Sequence, residues 1–228
     1  MKSFDYAAPR TLADALSLMN GHRRALILAG GTDLLVQLRN RRKETDLVID
    51  IKRLPELLTI AEKPDALEIG AATPCCDIYE HARVRQLFPA LAHTAALIGG
   101  TQIQSRASLG GNLCNAAPSA DSAPMLIALG AVARIANAGG MRDLPVEQLA
   151  LAPGRNALQP GELLIAVRIP RMEKGTGAHY LRFIPRNEMD IAVAGAGVRV
   201  TVRDGVMRNA RIALASVAPT PLFVPEAG

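Results

Sequence analysis

Residues 108–121 read SLGGNLCNAAPSAD. Gly110, Gly111, Asn112, Asn115, Pro118, Ser119 and Asp121 crowd there between two apolar segments. So many turn formers and short polar side chains make a poor helix and a poor strand. The stretch is therefore expected to be a loop whose N–H groups and side chains face a ligand. Paired glycines permit positive φ and let a large group approach the main chain with no Cβ in the way. Successive N–H groups in such a turn form an anion-binding concavity.

A second glycine turn, Ala29-Gly30-Gly31-Thr32-Asp33, lies upstream. It follows Ala25–Ala29 (ALILA), a continuous apolar run that reads as a buried strand, and leads into Asp33–Arg39 (DLLVQLR) as a short helix. Strand, glycine turn and helix start form an anion-binding arrangement, because the helix N-terminus offers free N–H groups at the positive end of its dipole. No G-x-G-x-x-G occurs, and no Gly-Lys-Ser/Thr follows a glycine loop, so the turn is neither a Rossmann fingerprint nor a P-loop. Together the two turns read as halves of one phosphate clamp, with the rest of the chain as its scaffold.

The composition narrows the ligand class. At 228 residues the chain can bury a large core and part of a second one. An aromatic content of 3% argues against stacked-base recognition of single-stranded nucleic acid. The net charge of +5 suits an anionic ligand or an acidic partner. The basic run Arg39-Asn40-Arg41-Arg42-Lys43 reads as a solvated face, so no nucleic acid is expected. The opening MKSFDYAAPR lacks the apolar core of a signal peptide, and no apolar run is long enough to span a membrane. Cys75, Cys76 and Cys114 have no C-x-x-C spacing, which fits neither a disulfide framework nor a metal site. A cytoplasmic, reduced chain with no metal of its own is expected. His22, His81, His93 and His179 are isolated in sequence and read as structural or surface residues.

Around the clamp, Thr11–Asn20 reads as a helix capped by Thr11. Asp46–Ile51, Leu67–Ala71, Val132–Ala136 and Leu163–Ile169 read as strands, the last closed by Pro170. Cys75–Arg83 and Phe88–Leu97 read as helices, Pro124–Ala133 as a buried helix, and Pro145–Ala150 as a short helix with Pro in its first turn. Glu173–Gly177 is polar and glycine-rich, placing a boundary between domains of residues 1–173 and 174–228. Beyond it, Ala178–Ile184, Ile191–Arg203 and Met207–Ser216 read as strands, the last two joined by a hairpin at Asp204-Gly205. Three strands cannot bury both faces of a sheet, so the second domain packs on the first or is incomplete.

The ordered set Ala29–Asp33, Ile98-Gly99-Gly100-x-Gln102-Ile103, Ala107–Asn112 with Pro118–Pro124, Glu162-Leu163-Leu164, Ile169-Pro170, Asp190-Ile191-Ala192 and Ala218-Pro219-Thr220-Pro221 resembles the FAD-binding medium subunit of molybdenum hydroxylases. That group includes aerobic carbon monoxide dehydrogenase, xanthine dehydrogenase and related heterocycle hydroxylases. The resemblance covers nearly the whole chain. It implies an α+β fold: a two-lobed FAD-binding domain of the vanillyl-alcohol-oxidase (PCMH) type, then a small α+β C-terminal domain. Members of the family run longer, with helices after the Ala-Pro-Thr-Pro segment, so the second domain is expected to be truncated.

By the resemblance, Ile27, Leu28, Ala29, Gly30, Gly31, Thr32, Asp33 and Leu34 wrap the pyrophosphate of FAD together with Ser108, Leu109, Gly110, Gly111 and Asn112. Ile98 borders the isoalloxazine, Asp121 hydrogen-bonds a polar part of the cofactor, the Leu164 main chain meets the flavin, and Ile191 lies near its redox edge. Arg182 stands where relatives often carry Lys, which keeps the charge and changes the donor geometry. The 4-hydroxybenzoyl-CoA reductase branch carries a cysteine-rich insertion after the Asn-Leu-Cys segment that is missing here. The function implied is electron transfer. A large partner subunit with a molybdenum cofactor oxidises the substrate, a small partner with two [2Fe–2S] clusters passes electrons to FAD here, and the three form a heterotrimer that can dimerise. No acid–base pair or nucleophile stands out, so no catalytic residue is expected. The alternatives are a stand-alone FAD-dependent reductase or oxidase on the same fold, and a non-catalytic truncated remnant.

Overall fold

Three short parallel strands, Asp5–Ala7, Leu47–Asp50 and Leu26–Leu28, form the N-terminal sheet with Leu47–Asp50 in the middle. The computed structural model describes residues 2–187 and 189–228. All four residues of the middle strand are buried, as a parallel strand covered on both faces demands. The helix Leu12–Gly21 begins at Thr11, whose Oγ1 accepts the Asp14 N–H at 3.1 Å. It packs Ala15 and Leu16 into a core with Ile49, Leu54 and Leu57.

The second sheet is antiparallel and five-stranded, in the order Ile60–Glu62, Ala66–Gly70, Leu163–Pro170, Val132–Asn137, Gly140–Pro145. Between its second and fourth strands the chain inserts a run of short helices from Cys75 to Leu129. These helices and the sheet's inner face share the larger core, around Ile69, Leu91, Leu109, Met125, Leu126 and Val167. The last helix of the run, Ser122–Leu129, is buried at every residue. Its all-round apolar character suits a helix enclosed by other elements.

What encloses it on one side is the third sheet, four antiparallel strands in the order Thr176–Phe183, Ala194–Arg203, Val206–Ala215, Leu222–Phe223. Asp204 and Gly205 have φ of 52° and 72°, the two positive values of a type I′ hairpin turn. Arg199 and Arg211 lie opposite each other on neighbouring strands. Arg199 donates to the Leu129 carbonyl at 3.4 Å and Arg211 to the Ile127 carbonyl at 3.0 Å, which serves the unpaired C-terminal end of the buried helix. Arg211 also pairs with Glu147 at 3.1 Å and lies 4.2 Å from the centre of the Phe223 ring. Burial and the neighbouring Arg211 charge hold the Arg199 guanidinium below its ordinary pKa.

Several expectations need correction. Residues 108–121 are not a continuous loop: Leu109–Asn115 is a helix whose N-cap Ser108 accepts the Gly111 N–H through Oγ at 3.1 Å. Burial of Leu109 and Leu113 outweighs the helix penalty of two glycines, and neither glycine has positive φ. Cys75–Arg83 breaks at His81, whose ψ of 119° separates the helices Cys75–Glu80 and Ala82–Leu87. Pro145–Ala150 shrinks to a 3₁₀ turn at Val146–Gln148. The strands Asp5–Ala7, Ile60–Glu62, Gly140–Pro145, Leu222–Phe223 and the pair Ala150–Ala152 with Arg155–Asn156 were not anticipated; most are two or three residues long, too short to carry a periodic signal.

Candidate functional site

Leu26–Leu28 ends in the turn Gly30-Gly31-Thr32, with Gly31 at φ 79°. Gly30 is seated directly on main chain: a Cβ there would lie 2.0 Å from the Arg106 carbonyl oxygen and 2.9 Å from the Ala107 nitrogen. Arg106 and Ala107 lead into Ser108, so the two glycine turns, far apart in sequence, abut in space. On the other side, the Gly110 N–H donates to the Ala71 carbonyl at 3.1 Å, and a Cβ on Gly110 would sit 2.4 Å from that oxygen. The Cys75 N–H donates to the Ala107 carbonyl at 2.8 Å and fixes the approach to Ser108.

Between the turns lies a cleft of about 500 Å³. Ile27, Ala29, Gly30, Gly31, Thr32, Asp33 and Leu34 line one side, Ser108, Gly110, Gly111 and Asn112 another, and Ile98 and Leu164 complete the set anticipated from sequence. The N–H groups of Gly31, Thr32 and Asp33 make no hydrogen bond within the chain among the described residues. They form the concavity in which an anion replaces missing acceptors.

Five anticipated residues lie outside that lining. Leu28 belongs to the N-terminal sheet, and Leu109 is fully buried in the larger core. Asp121 accepts the Tyr180 hydroxyl at 2.7 Å and pairs with Arg182 at 2.8 Å, so both of its oxygens are engaged. Burial pushes the Asp121 carboxyl up, against the pull of these two partners. Burial also raises the Tyr180 hydroxyl, with the Asp121 charge adding to it. Ile191 is 72% exposed.

The cleft also has lining residues that were not assigned to the cofactor: Ile103, Cys114, Asn115 and Glu162, which lie within the quoted motifs, and Gln37, Lys43 and Asn156, which lie outside them. The Gln37 side chain donates to Asn115 Oδ1 at 3.1 Å, tying the N-terminal lobe to the second one, and Asn156 donates to the Cys114 carbonyl at 2.7 Å. Cys114 is half-buried in the cleft wall, and desolvation there pushes its thiol up to about 12. Among the described residues no group of His, Cys, Asp and Glu is placed to hold a metal ion.

Glu162 is the buried charge of the site, with its side chain only 4% exposed. Arg142 grips it through two hydrogen bonds of 2.7 Å, and the Gln159 N–H adds a third at 2.8 Å. These bonds hold the Glu162 carboxyl below the usual carboxylate range, against burial. A depressed carboxyl contributes stability above its unfolded pKa and loses it as pH falls through the folded value. Arg142→Met is therefore expected to cost about 1–3 kcal/mol near neutral pH, because the carboxylate loses its partner. Urea unfolding at about pH 7 and about pH 4 checks the sign, since the gap between variant and parent should narrow in acid.

The cleft fits a dinucleotide by its own features. Gly30, Gly31 and Gly111 bring main chain to its wall, N–H groups stand free, and its volume of about 500 Å³ suits a cofactor larger than a single nucleotide. Comparison with known proteins agrees. Residues 2–172 match the FAD binding domain in molybdopterin dehydrogenase, and residues 179–228 match the CO dehydrogenase flavoprotein C-terminal domain. The chain is 35% identical to the xanthine dehydrogenase FAD-binding subunit of Escherichia coli O157:H7, over 96% of this chain and 77% of the relative. It is 32% identical to the carbon monoxide dehydrogenase medium chain of Hydrogenophaga pseudoflava, over 96% and 76%. The fold superposes on reconstituted CO dehydrogenase from Oligotropha carboxidovorans with a TM-score of 0.96 at 32% identity, covering 100% of this chain and 79% of that one. With both segments matched in order and the two glycine turns closing on one cleft, the chain belongs to the FAD-binding medium subunits of the xanthine and carbon monoxide dehydrogenase family of oxidoreductases.

Proposed function

We propose that this chain is the electron-transfer flavoprotein subunit of a molybdenum-containing hydroxylase, standing between [2Fe–2S] clusters on a small partner subunit and an external electron acceptor. Substrate oxidation belongs to a large partner carrying the molybdenum cofactor, in a heterotrimer that can dimerise. The observation that carries this reading is the seating of Gly30 on the Arg106–Ala107 main chain, which makes one clamp of two turns. FAD, when bound, supplies reversible exchange of one or two electrons; the protein supplies placement and electrostatics.

In this reading the N–H groups of Gly31, Thr32 and Asp33 hold the pyrophosphate with the main chain at Gly110 and Gly111. Ile98 and Leu164 present apolar surface to the flavin rings and exclude water. Asp121, engaged with both Arg182 and Tyr180, braces the second domain beside the site. Ile191 is the exposed contact at the redox edge. We propose the division into residues 1–173 and 174–228 for the two domains, and a cytoplasmic setting, which the free thiols of Cys75, Cys76 and Cys114 suit. No described helix is long and apolar enough to cross a membrane.

The visible spectrum of the purified chain tests the reading. Near-stoichiometric flavin, released by heat and identified as FAD by chromatography, is expected. A chain that is colourless and takes up no added FAD overturns it.

A further inference from the structure

Phosphate charge raises a question the glycine turns leave open. The N–H groups of the clamp are dipoles, and a diphosphate brings formal charge into a cleft already lined by carboxylates. Three ionisable side chains other than cysteine line it: Asp33, Lys43 and Glu162. Glu162 is matched by Arg142. Asp33 makes no capping hydrogen bond to the helix that follows it. Without Lys43, the lining would present a surplus carboxylate to an anionic ligand.

Lys43 is placed to correct that balance. It forms no ion pair among the described residues, and the adjacent Glu44 is already taken by Lys2 at 2.7 Å with Arg24 at 3.8 Å. Its main chain is tethered rather than trailing. The Lys43 and Arg42 N–H groups both donate to the Gln37 carbonyl, at 3.3 and 2.9 Å. The Gln37 side chain in turn reaches Asn115 on the opposite wall. Arg41, two residues earlier, sits at φ 55°, in a sharp turn. The run of basic residues from Arg39 is thus divided, with Lys43 lining the cleft as the one cationic side chain there among the described residues.

We propose that Lys43 is a further cofactor-binding residue, whose ammonium neutralises part of the diphosphate charge of the dinucleotide held between the two glycine turns. The proposal rests on the FAD-binding reading above. It assigns Lys43 a role in affinity through charge, distinct from the shape and N–H donors that the glycines supply. An exposed ammonium acts through Coulomb attraction that salt screens. Its contribution therefore depends on ionic strength, whereas that of the buried clamp does not.

The test is FAD titration of the flavin-free chain, followed by quenching of flavin fluorescence, at about 0.02 M and about 0.5 M salt. Lys43→Met is expected to raise Kd about tenfold in low salt and about twofold in high salt. Lys43→Glu should raise it by a further similar factor in low salt, and Lys43→Arg should stay near the parent, because only charge is at stake. A Lys43→Met chain that binds as the parent does at both salt concentrations overturns the role of Lys43. So does a loss of equal size at both concentrations that Arg fails to rescue. Failure of the unaltered chain to bind FAD overturns the underlying reading instead.

Discussion

A Gly111→Val chain is expected to fold normally and to emerge colourless. Gly111 sits in the first turn of the helix Leu109–Asn115 and lines the cleft. A Cβ built there meets only Ser108 Oγ within 4 Å, at 3.2 Å, so the protein admits a side chain once that capping hydroxyl gives by a few tenths of an ångström. The φ is not in the left-handed region, and valine is a better helix former than glycine. In the proposed reading that room is where the cofactor's phosphates lie. FAD affinity should fall at least about a hundredfold, roughly 2.7 kcal/mol, while the melting temperature shifts by no more than a few degrees. Its neighbour gives the opposite result. Gly110→Ala drives a Cβ to within 2.4 Å of the Ala71 carbonyl and 2.6 Å of the Ala71 Cβ, and main chain must separate to admit it. That variant should lose about 3 kcal/mol or more and recover poorly from expression. Flavin titration and thermal melting of the pair decide the matter. If Gly111→Val retains flavin at the parental level, the pyrophosphate does not lie against this turn.

Gly197→Val should be the most destabilising single change in the second domain. Gly197 lies on the strand Ala194–Arg203 where it crosses the buried helix Ser122–Leu129. A Cβ there would lie 2.6 Å from the Pro124 carbonyl oxygen and 2.8 Å from the Met125 nitrogen. No flexible side chain stands in the way; the obstacle is helix backbone. The sheet must lift from the helix, which strips Tyr180 and Ala213 of their places in the larger core. It also pulls Arg199 and Arg211 away from the Leu129 and Ile127 carbonyls. A loss above about 4 kcal/mol is expected, the range reserved for overpacking that backbone cannot absorb. Chemical denaturation checks the loss, and limited proteolysis should release a fragment from the Glu173–Gly177 turn. A variant as stable as the parent would mean that the sheet does not rest on this helix.

Local chemistry was legible in the sequence, and distant partnership was not. Asp204-Gly205 announced its hairpin because a type I′ turn needs positive φ twice and those two residues tolerate it. The turn Gly30–Thr32 between strand and helix was equally plain. Ser108–Asp121 misled because glycine weighs heavily in helix propensity, whereas the burial of Leu109 and Leu113 that overrides it depends on elements elsewhere. The break at His81 carries no glycine or proline and could not be read. The glycine turns lie along the cleft as read, while Gln37 and Asn156 carried no signal, and Asn115 and Glu162 lay in quoted stretches without being assigned a part in the site. Each of those four becomes part of the cleft only through a partner far along the chain. Asp121 was read as a hydrogen-bonding partner of the cofactor, whereas its two oxygens take Tyr180 and Arg182, on a strand some sixty residues later that no local pattern ties to it.

The placement of Leu163–Pro170 has a consequence for how the chain is made. This strand lies between Ala66–Gly70 and Val132–Asn137 and is hydrogen-bonded to both. It leaves the ribosome after either neighbour, and its pairs with Ala66–Gly70 join residues roughly a hundred positions apart. Until it arrives, each neighbour presents one open, largely apolar edge, ready to pair with any strand that passes. Nascent chains ending before about residue 170 are therefore the species most exposed to mispairing, until the middle strand slides home between its two neighbours.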